Sequence, residues 1–132
     1  TLLLQKLSNI GIGNKALKWT QSYLTDRSQN TKFSSVTSET ETVTSGVPQG
    51  SILGPILFII FTNDLIEAFN DETHVVSYAD DTQLIETGKS HEEVKQKLEK
   101  TIKLAQTWYT QNSLMSNPAK TEVIIFKTTQ GK

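Results

Sequence analysis

Apolar and polar positions in the first third of the chain predict two helices followed by two strands. A leucine-rich start suggests the last turns of a helix that closes at Gly11 and Gly13. A second helix of about ten residues should follow, with Asn14 as its cap. Residues then alternate over Thr31–Val36 and Glu41–Thr44, which predicts two strands around a Ser/Thr-rich turn.

The middle of the chain carries the most apolar segment. Ile56–Phe61 is apolar on every helical face, which predicts a buried helix that extends to about Phe69. Ser51 is placed to cap this helix, and Pro55 falls in or near the first turn, where its missing N–H costs little.

The last third predicts one long helix and one strand. Ser90–Glu93 forms a capping box, and apolar residues then recur every three or four positions from Val94 to Trp108. This pattern predicts an amphipathic helix of about 20 residues, which Asn112–Pro118 should end. Val123–Phe126 is uniformly apolar and predicts a buried strand.

Two short apolar segments flank a pair of adjacent carboxylates. His74–Ser77 and Thr82–Ile85 predict two strands joined by a tight turn that carries Asp80 and Asp81. Hairpins and helices without regular βαβ alternation predict an α+β fold, with helices packed on a small antiparallel sheet.

Composition indicates one soluble domain. The 132 residues suffice for a modest core, and the absence of Cys excludes disulfides, thiol nucleophiles and zinc-thiolate sites. The longest apolar segment is about half the length that spans a bilayer. We therefore expect an intracellular protein, in the nucleus or the cytoplasm, that does not associate with membranes.

The charges form three blocks that the formal net charge of −1 conceals. Residues 46–88 carry seven Asp/Glu and no Lys or Arg, whereas residues 1–45 carry five Lys/Arg against three Asp/Glu, and residues 89–132 carry eight Lys against four Glu. An acidic centre between basic flanks suits a metal site beside a polyanion-binding surface. Alternatively, Lys95, Lys97, Lys100 and Lys103 are the solvated face of the long helix.

Asp80 and Asp81 have two interpretations on their own. Adjacent acids repel each other, so a divalent cation is a natural partner, and Mg²⁺ is usually held by one or two carboxylates plus substrate phosphates. A solvated turn that binds nothing is the simpler interpretation. The Gly46–Gly50 loop is similarly ambiguous, because flexible glycines admit a ligand but are also common in plain structure.

Four stretches, in order and spacing, resemble the polymerase core of a reverse transcriptase of the non-LTR (LINE-like) retrotransposon kind. They cover nearly the whole chain: Trp19…Ser22-Tyr23-Leu24…Arg27-Ser28-Gln29, Ser45–Pro55 with Asn63-Asp64-Leu65, Tyr78-Ala79-Asp80-Asp81-Thr82, and Trp108…Asn112-Ser113-Leu114…Asn117…Lys120-Thr121-Glu122.

The resemblance implies an RNA-directed DNA polymerase that uses Mg²⁺, or alternatively Mn²⁺, and acts on an RNA template, a DNA primer and deoxynucleotides. In that family Asp80 would ligate the catalytic metals and Asp81 would assist. Tyr78 would lie against the primer end. Gln49 and Gly50 would pack against the incoming nucleotide and the templating base.

Two further positions of the family pattern carry weaker implications. Lys120 matches a lysine near the nucleotide phosphates, proposed as a proton donor to pyrophosphate, although a simple phosphate or surface lysine fits as well. Asp64 is expected to end the buried helix without a chemical role. His74 and His91 match nothing catalytic.

The match also predicts what the chain lacks. Residues 1–50 correspond to part of the fingers, residues 51–128 to most of the palm, and residues 129–132 to a lead-out toward a thumb. The family's third metal-binding Asp has no counterpart here. We therefore expect an internal fragment that requires the rest of a polyprotein, binds Mg²⁺ weakly and does not polymerise alone, and whose sheet has unpaired edges.

Three other interpretations stay open at this stage. The chain could be a non-catalytic remnant that binds nucleic acid or a partner protein. It could be an unrelated α+β domain with a structural acidic turn. It could also be part of an RNA-copying viral polymerase, although the Val47–Gly50 loop and Ala79 favour the reverse transcriptase.

Overall fold

Helices and short antiparallel ladders make up the fold in a computed structural model that describes residues 2–127. The predicted lead-out 129–132 lies outside the described residues. The helices are α1 (Leu2–Asn9), α2 (Asn14–Leu24), α3 (Leu53–Thr62) and α4 (His91–Gln111), with 3-10 helices at Asn63–Ala68 and Pro118–Lys120. The strands are β1 (Ser28–Gln29), β2 (Lys32–Phe33), β3 (Val36–Thr37), β4 (Glu41–Thr42), β5 (His74–Tyr78) and β6 (Asp81–Ile85).

The predicted α+β class is confirmed, but the strands do not form one sheet. Within residues 2–127 they form three separate two-stranded antiparallel ladders, in which β1 pairs with β4, β2 with β3 and β5 with β6. The prediction of one strand over Thr31–Val36 is wrong, because the chain reverses inside that segment. Ser34 has φ +56°, and Lys32 pairs with Thr37 across the turn. Alternation of residues alone does not distinguish a single strand from a tight hairpin.

The helix ends show which of the predicted helix stops and caps the structure contains. Gly11 has φ +92°, and the Ile12 N–H donates to the Leu7 carbonyl, so α1 ends as predicted. Asn14 is not a cap, because it is already the first residue of α2 and the capping position falls on Gly13. Ser90 accepts from the Glu93 N–H as expected, whereas the Glu93 carboxylate accepts from the Lys89 N–H instead of closing on Ser90.

Four helical segments contribute to a small core. Its buried apolar side chains come from α1, α3, the 3-10 helix that continues α3, and α4; they are Leu7, Leu57, Leu65, Ala105 and Trp108. α1 packs on α3, and α4 packs on the 3-10 helix. None of the helices over residues 2–127 is both long and apolar enough to cross a membrane.

Two predicted apolar elements are less buried than expected. α3 packs one face on α1, and Ile56 and Ile59 on its other side are exposed, so the prediction of an all-round buried helix is wrong. Val123–Phe126 forms no strand, and the Phe126 side chain is 90% exposed. The physical reason is that no strand in the described part of the chain pairs with this segment.

Lys6 makes the most extensive polar contacts in the core. Its Nζ lies 2.6 Å from Asp64 Oδ1 and donates to the Phe61 carbonyl at 2.7 Å. The same ammonium lies 4.6 Å from the centre of the Phe61 ring and 4.8 Å from that of Trp108. One side chain of α1 therefore contacts α3, the following 3-10 helix and α4.

Polar side chains attach the base of the β5–β6 hairpin to α4. Glu86, which follows β6, accepts hydrogen bonds through Oε1 from Thr101 Oγ1 at 2.5 Å and from Thr73 Oγ1 at 2.8 Å. Thr101 lies on α4 and is only 4% exposed, so its hydroxyl needs this acceptor. Because Thr73 precedes β5, Glu86 holds both ends of the hairpin base against the helix.

Lys97 reinforces the same attachment from the next turn of α4. Its Nζ lies 3.4 Å from Glu72 Oε2 and 3.3 Å from both the Thr87 carbonyl and Glu93 Oε1. The hydrogen bonds to Glu93 and then to Glu72 raise the pKa of Lys97. The Lys89 N–H and then Lys97 lower the pKa of Glu93. Both shifts favour the charged forms of a network that joins the residues flanking the hairpin to α4.

Glu86→Ala should loosen the hairpin, because it leaves the buried Thr101 hydroxyl without its acceptor. We expect the free energy of unfolding to fall by about 1–3 kcal/mol in urea titrations, and amide hydrogen exchange to accelerate in β5 and β6. Gln83→Ala is the matched control, since Gln83 is exposed on the same hairpin. Equal effects of the two substitutions would contradict this role of Glu86.

Candidate functional site

The paired carboxylates lie at the tip of the β5–β6 hairpin, as predicted. Tyr78 pairs with Asp81 at the end of the ladder, which leaves Ala79 and Asp80 as the two turn residues. Ala79 has φ +53°, the sign that tight hairpin turns require at their first central residue. A left-handed conformation at a non-glycine residue costs roughly 1–2 kcal/mol. The flanking ladder must therefore hold this turn in place.

The two carboxylates are accessible to solvent. Asp80 and Asp81 are exposed, and the adjacent Tyr78 side chain is 84% exposed. Successive residues of a strand face opposite sides, and Thr82 is half-buried toward α4, so Asp81 lies on the solvent side of the hairpin. A ligand or cation can approach this end of the hairpin without displacing any packed side chain.

Asp80 and Asp81 fit a metal site to which other groups also contribute ligands, but they do not complete a metal site by themselves. Across residues 2–127 there is no cluster of three or more His, Cys, Asp or Glu side chains able to hold a metal ion. Two adjacent carboxylates match the usual protein contribution to Mg²⁺, whose other positions go to water and substrate phosphates. The hairpin therefore fits a metal that is also held by a substrate or by further carboxylates.

Gln49 and Gly50 lie in an exposed loop before α3, and the loop backbone is held by an arginine. Gly46 and Gly50 have φ of +77° and +76°, where a side chain would be strained. Arg27 Nη2 donates to the Gly46 carbonyl at 2.6 Å and to the Ser45 carbonyl at 3.3 Å. The guanidinium therefore fixes the start of the loop, whereas Gln49 stays free to contact a ligand.

Ser51 fixes the other end of the loop. Its hydroxyl donates to the Pro48 carbonyl at 2.6 Å and accepts from the Gly54 N–H at 3.0 Å. The prediction of Ser51 as the helix cap is off by one residue, because α3 begins at Leu53 and its capping position falls on Ile52. Gly54 is buried, and a Cβ there would lie 2.8 Å from the Pro48 oxygen. Only glycine lets the first turn of α3 approach the loop so closely.

Lys120 ends a short 3-10 helix after α4, and its side chain is exposed. Its neighbours Pro118 and Thr121 line a cavity of about 370 Å³ together with Thr82 of β6 and Tyr109 of α4. The segment that carries Lys120 therefore borders the α4-facing side of the hairpin, although Lys120 does not line the cavity itself.

Five of the six predicted site residues form two groups in this structure, and Lys120 lies apart from both in its 3-10 helix. Tyr78, Asp80 and Asp81 share the hairpin tip, and Gln49 and Gly50 share the loop. No hydrogen bond or ion pair in the described part of the chain joins the two groups directly. The loop precedes α3 and the hairpin packs on α4, and the Lys6 ammonium lies over the Phe61 ring of α3 and over the Trp108 ring of α4.

Sequence reasoning missed the residues that position these groups. Arg27 belongs to a matched stretch, but its contact with the loop carbonyls depends on the chain reversing between α2 and α3. Glu86 reads as an ordinary strand-end acid, and Asp64 as a helix end without a role. For Lys6, the available signal is a single lysine within a leucine-rich helix.

Gly54→Ala should displace the loop, because its Cβ would overlap the Pro48 carbonyl. We expect a loss of about 1–3 kcal/mol in stability, despite the better helix propensity of alanine, and shifts of the Gln49–Ser51 amide resonances in NMR spectra. Gly13→Ala is the control, since a Cβ at Gly13 would meet nothing within 4 Å. Unchanged loop resonances in Gly54→Ala would show that the close approach is not required.

Comparison with known proteins agrees with the resemblance seen in the sequence. The family model described as reverse transcriptase (RNA-dependent DNA polymerase) matches residues 1–131. No solved structure matches the chain.

Three relatives come from Drosophila melanogaster. The putative 115 kDa protein in type-1 retrotransposable element R1DM is 30% identical over 124 residues, which is 94% of this chain and 12% of that protein. The RNA-directed DNA polymerase from mobile element jockey is 26% identical over 84% of this chain and 13% of its own length. The probable RNA-directed DNA polymerase from transposon BS is 32% identical over 76% of this chain and 12% of its own length.

The chain thus spans only about an eighth of the length of these relatives. The family match nevertheless extends over almost every residue, including the loop and the hairpin. The non-LTR retrotransposon type expected from the sequence is confirmed by these relatives. The chain belongs to the reverse transcriptase (RNA-dependent DNA polymerase) family.

Proposed function

We propose that this chain supplies the metal-binding hairpin and the nucleotide-contacting loop of an RNA-directed DNA polymerase. The reaction would add deoxynucleotides to a DNA primer on an RNA template. The observation that carries the proposal is the exposed Asp80–Asp81 pair on a braced hairpin tip, in a chain that belongs to the reverse transcriptase family.

Asp80 and Asp81 would hold Mg²⁺, or alternatively Mn²⁺, with Asp80 as the main ligand. The chemistry that the divalent cations supply when bound is activation of the primer 3′-hydroxyl and stabilisation of the leaving pyrophosphate. Such transfer depends on positioning and electrostatics, so a braced hairpin suits it better than a flexible loop. The hydrogen bonds that Thr101 and Lys97 of α4 donate to the Glu86 carboxylate and to the Thr87 carbonyl supply that bracing.

The remaining site residues would bind the substrates. Tyr78, exposed beside the carboxylates, would lie against the primer end. Gln49 and Gly50, at the exposed part of the loop, would contact the incoming nucleotide and the templating base. Lys120 would lie near the nucleotide phosphates, either as a proton donor to pyrophosphate or as a simple phosphate contact.

The chain would act as part of a larger polymerase. In this proposal residues 1–50 belong to the fingers and residues 51–128 to the palm, and other parts of the polyprotein supply a third carboxylate and the thumb. The described residues do not offer three carboxylates in one cluster. Residues 1–132 alone should therefore bind Mg²⁺ weakly and not extend a primer.

Primer extension tests this proposal in a polymerase that contains residues 1–132. Asp80→Ala should lower RNA-templated extension by at least roughly 100-fold, because metal-assisted charge stabilisation contributes several kcal/mol. Asp71→Ala is the matched control, since Asp71 is an exposed acid of the same charge block outside the hairpin, and it should leave extension near wild type.

Two results would contradict the proposal. Extension that survives Asp80→Ala would remove the hairpin from the active site. Extension by isolated 1–132 would show that two carboxylates suffice. Template-primer binding that persists in EDTA and in Asp80→Ala, without any extension, would instead indicate a non-catalytic binding remnant.

A further inference from the structure

We propose that Lys6 is a positioning residue that fixes the loop-bearing helix α3 relative to α4, the helix that supports the carboxylate hairpin. The catalytic consequence rests on the proposed function, because the loop and the hairpin form one site only in a polymerase. The geometric claim itself concerns the folded chain.

One ammonium group, that of Lys6, contacts both the helix that follows the loop and the helix that supports the hairpin. On the α3 side, it donates to the Phe61 carbonyl and to Asp64 Oδ1, and it lies over the Phe61 ring. On the α4 side, it lies over the ring of Trp108, which is buried. The hairpin strand β6 packs on α4, so these contacts relate the hairpin to α3.

The environment makes these contacts specific. The Lys6 side chain is only 12% exposed, whereas that of Asp64 is 38% exposed. A charge largely removed from water needs partners in defined directions, and here a carboxylate, a carbonyl and two ring faces provide them. Moving α3 away from α4 would separate the ammonium from one of the two rings.

The Lys6 contact lies at one end of α3, and the loop lies at the other end. Phe61 is seven residues beyond Gly54, which corresponds to about 10 Å along a helix. Its carbonyl lies in the last turn of α3, where cations are favoured and carbonyls need partners from outside the helix. Gly54 at the other end packs against Pro48 of the loop. A change in the placement of α3 at Phe61 therefore also moves the loop.

The alternative is that Lys6 contributes to stability alone. In that case its loss would lower the melting temperature but leave the arrangement of α3 and α4 unchanged in molecules that remain folded. A distance between the loop and the hairpin, measured well below the melting temperature, distinguishes the two cases.

The absence of Cys from the chain permits such a measurement. Spin labels would be attached to Ile52→Cys, just after the loop, and to Gln83→Cys on β6; both side chains are exposed. Pulsed electron paramagnetic resonance would give the label-to-label distance distribution. Lys6→Met should broaden the distribution or shift its mean by ~1–2 Å or more, the size of helix shifts in switching proteins.

Two variants complete the comparison. Lys6→Arg keeps the charge and the donors and should restore most of the narrow distribution. Lys18→Met removes an exposed lysine of α2 and should leave the distribution unchanged. If Lys6→Met does not fold, Lys6→Gln serves as the test variant, because it removes the ammonium from the two rings but keeps a polar side chain at the position.

A folded Lys6→Met or Lys6→Gln variant with the wild-type distribution would overturn the proposal, whatever its melting temperature. Failure of Lys6→Arg to narrow the distribution would also overturn it. The measurement needs no catalysis, so an inactive polymerase would count against the proposed function and leave this inference intact.

Discussion

The Lys6 ammonium contacts α3, the 3-10 helix after it and α4, and we infer that the arrangement of these helices depends on it. The apolar core over residues 2–127 has few buried side chains, and Lys6 enters it from α1. It contacts the C-terminal end of α3, the following 3-10 helix and the buried Trp108 of α4. Hydrophobic burial favours association of these helices but is non-directional. The carboxylate, carbonyl and ring contacts around one ammonium add the direction that burial alone does not provide.

The hairpin combines a fixed base with an open tip. Glu86 and Lys97 connect the residues on either side of β5 and β6 to α4, whereas Tyr78, Asp80 and Asp81 extend into solvent. A metal-dependent transfer reaction needs both properties, because the carboxylates must be accessible to substrate and must not move when it binds. The strained φ at Ala79 is consistent with a turn that its flanking ladder holds in place.

The sequence predicted the elements whose signals are local. The hairpin, α4 and the Ser51 contact follow from short apolar segments around a turn, from period-3.6 spacing and from a serine placed before a helix, all within a few residues. The predictions that failed depend on partners distant in sequence. Val123–Phe126 has the composition of a buried strand but no strand to pair with, and α3 is apolar all round but covered on one side. Lys6 and Glu86 make their contacts only when elements separate in the sequence meet, helices for Lys6 and a hairpin with a helix for Glu86.

The central claim is that Asp80 and Asp81 are the divalent-metal ligands of this chain. Paramagnetic broadening of backbone amide resonances by Mn²⁺ tests it most directly in 1–132, without requiring activity. We predict broadening centred on Ala79–Thr82 that Asp80→Asn removes and Asp71→Asn does not. Broadening centred on another acidic segment, such as Asp71–Glu72 or Glu92–Glu93, or broadening of the hairpin that survives Asp80→Asn, would contradict the account.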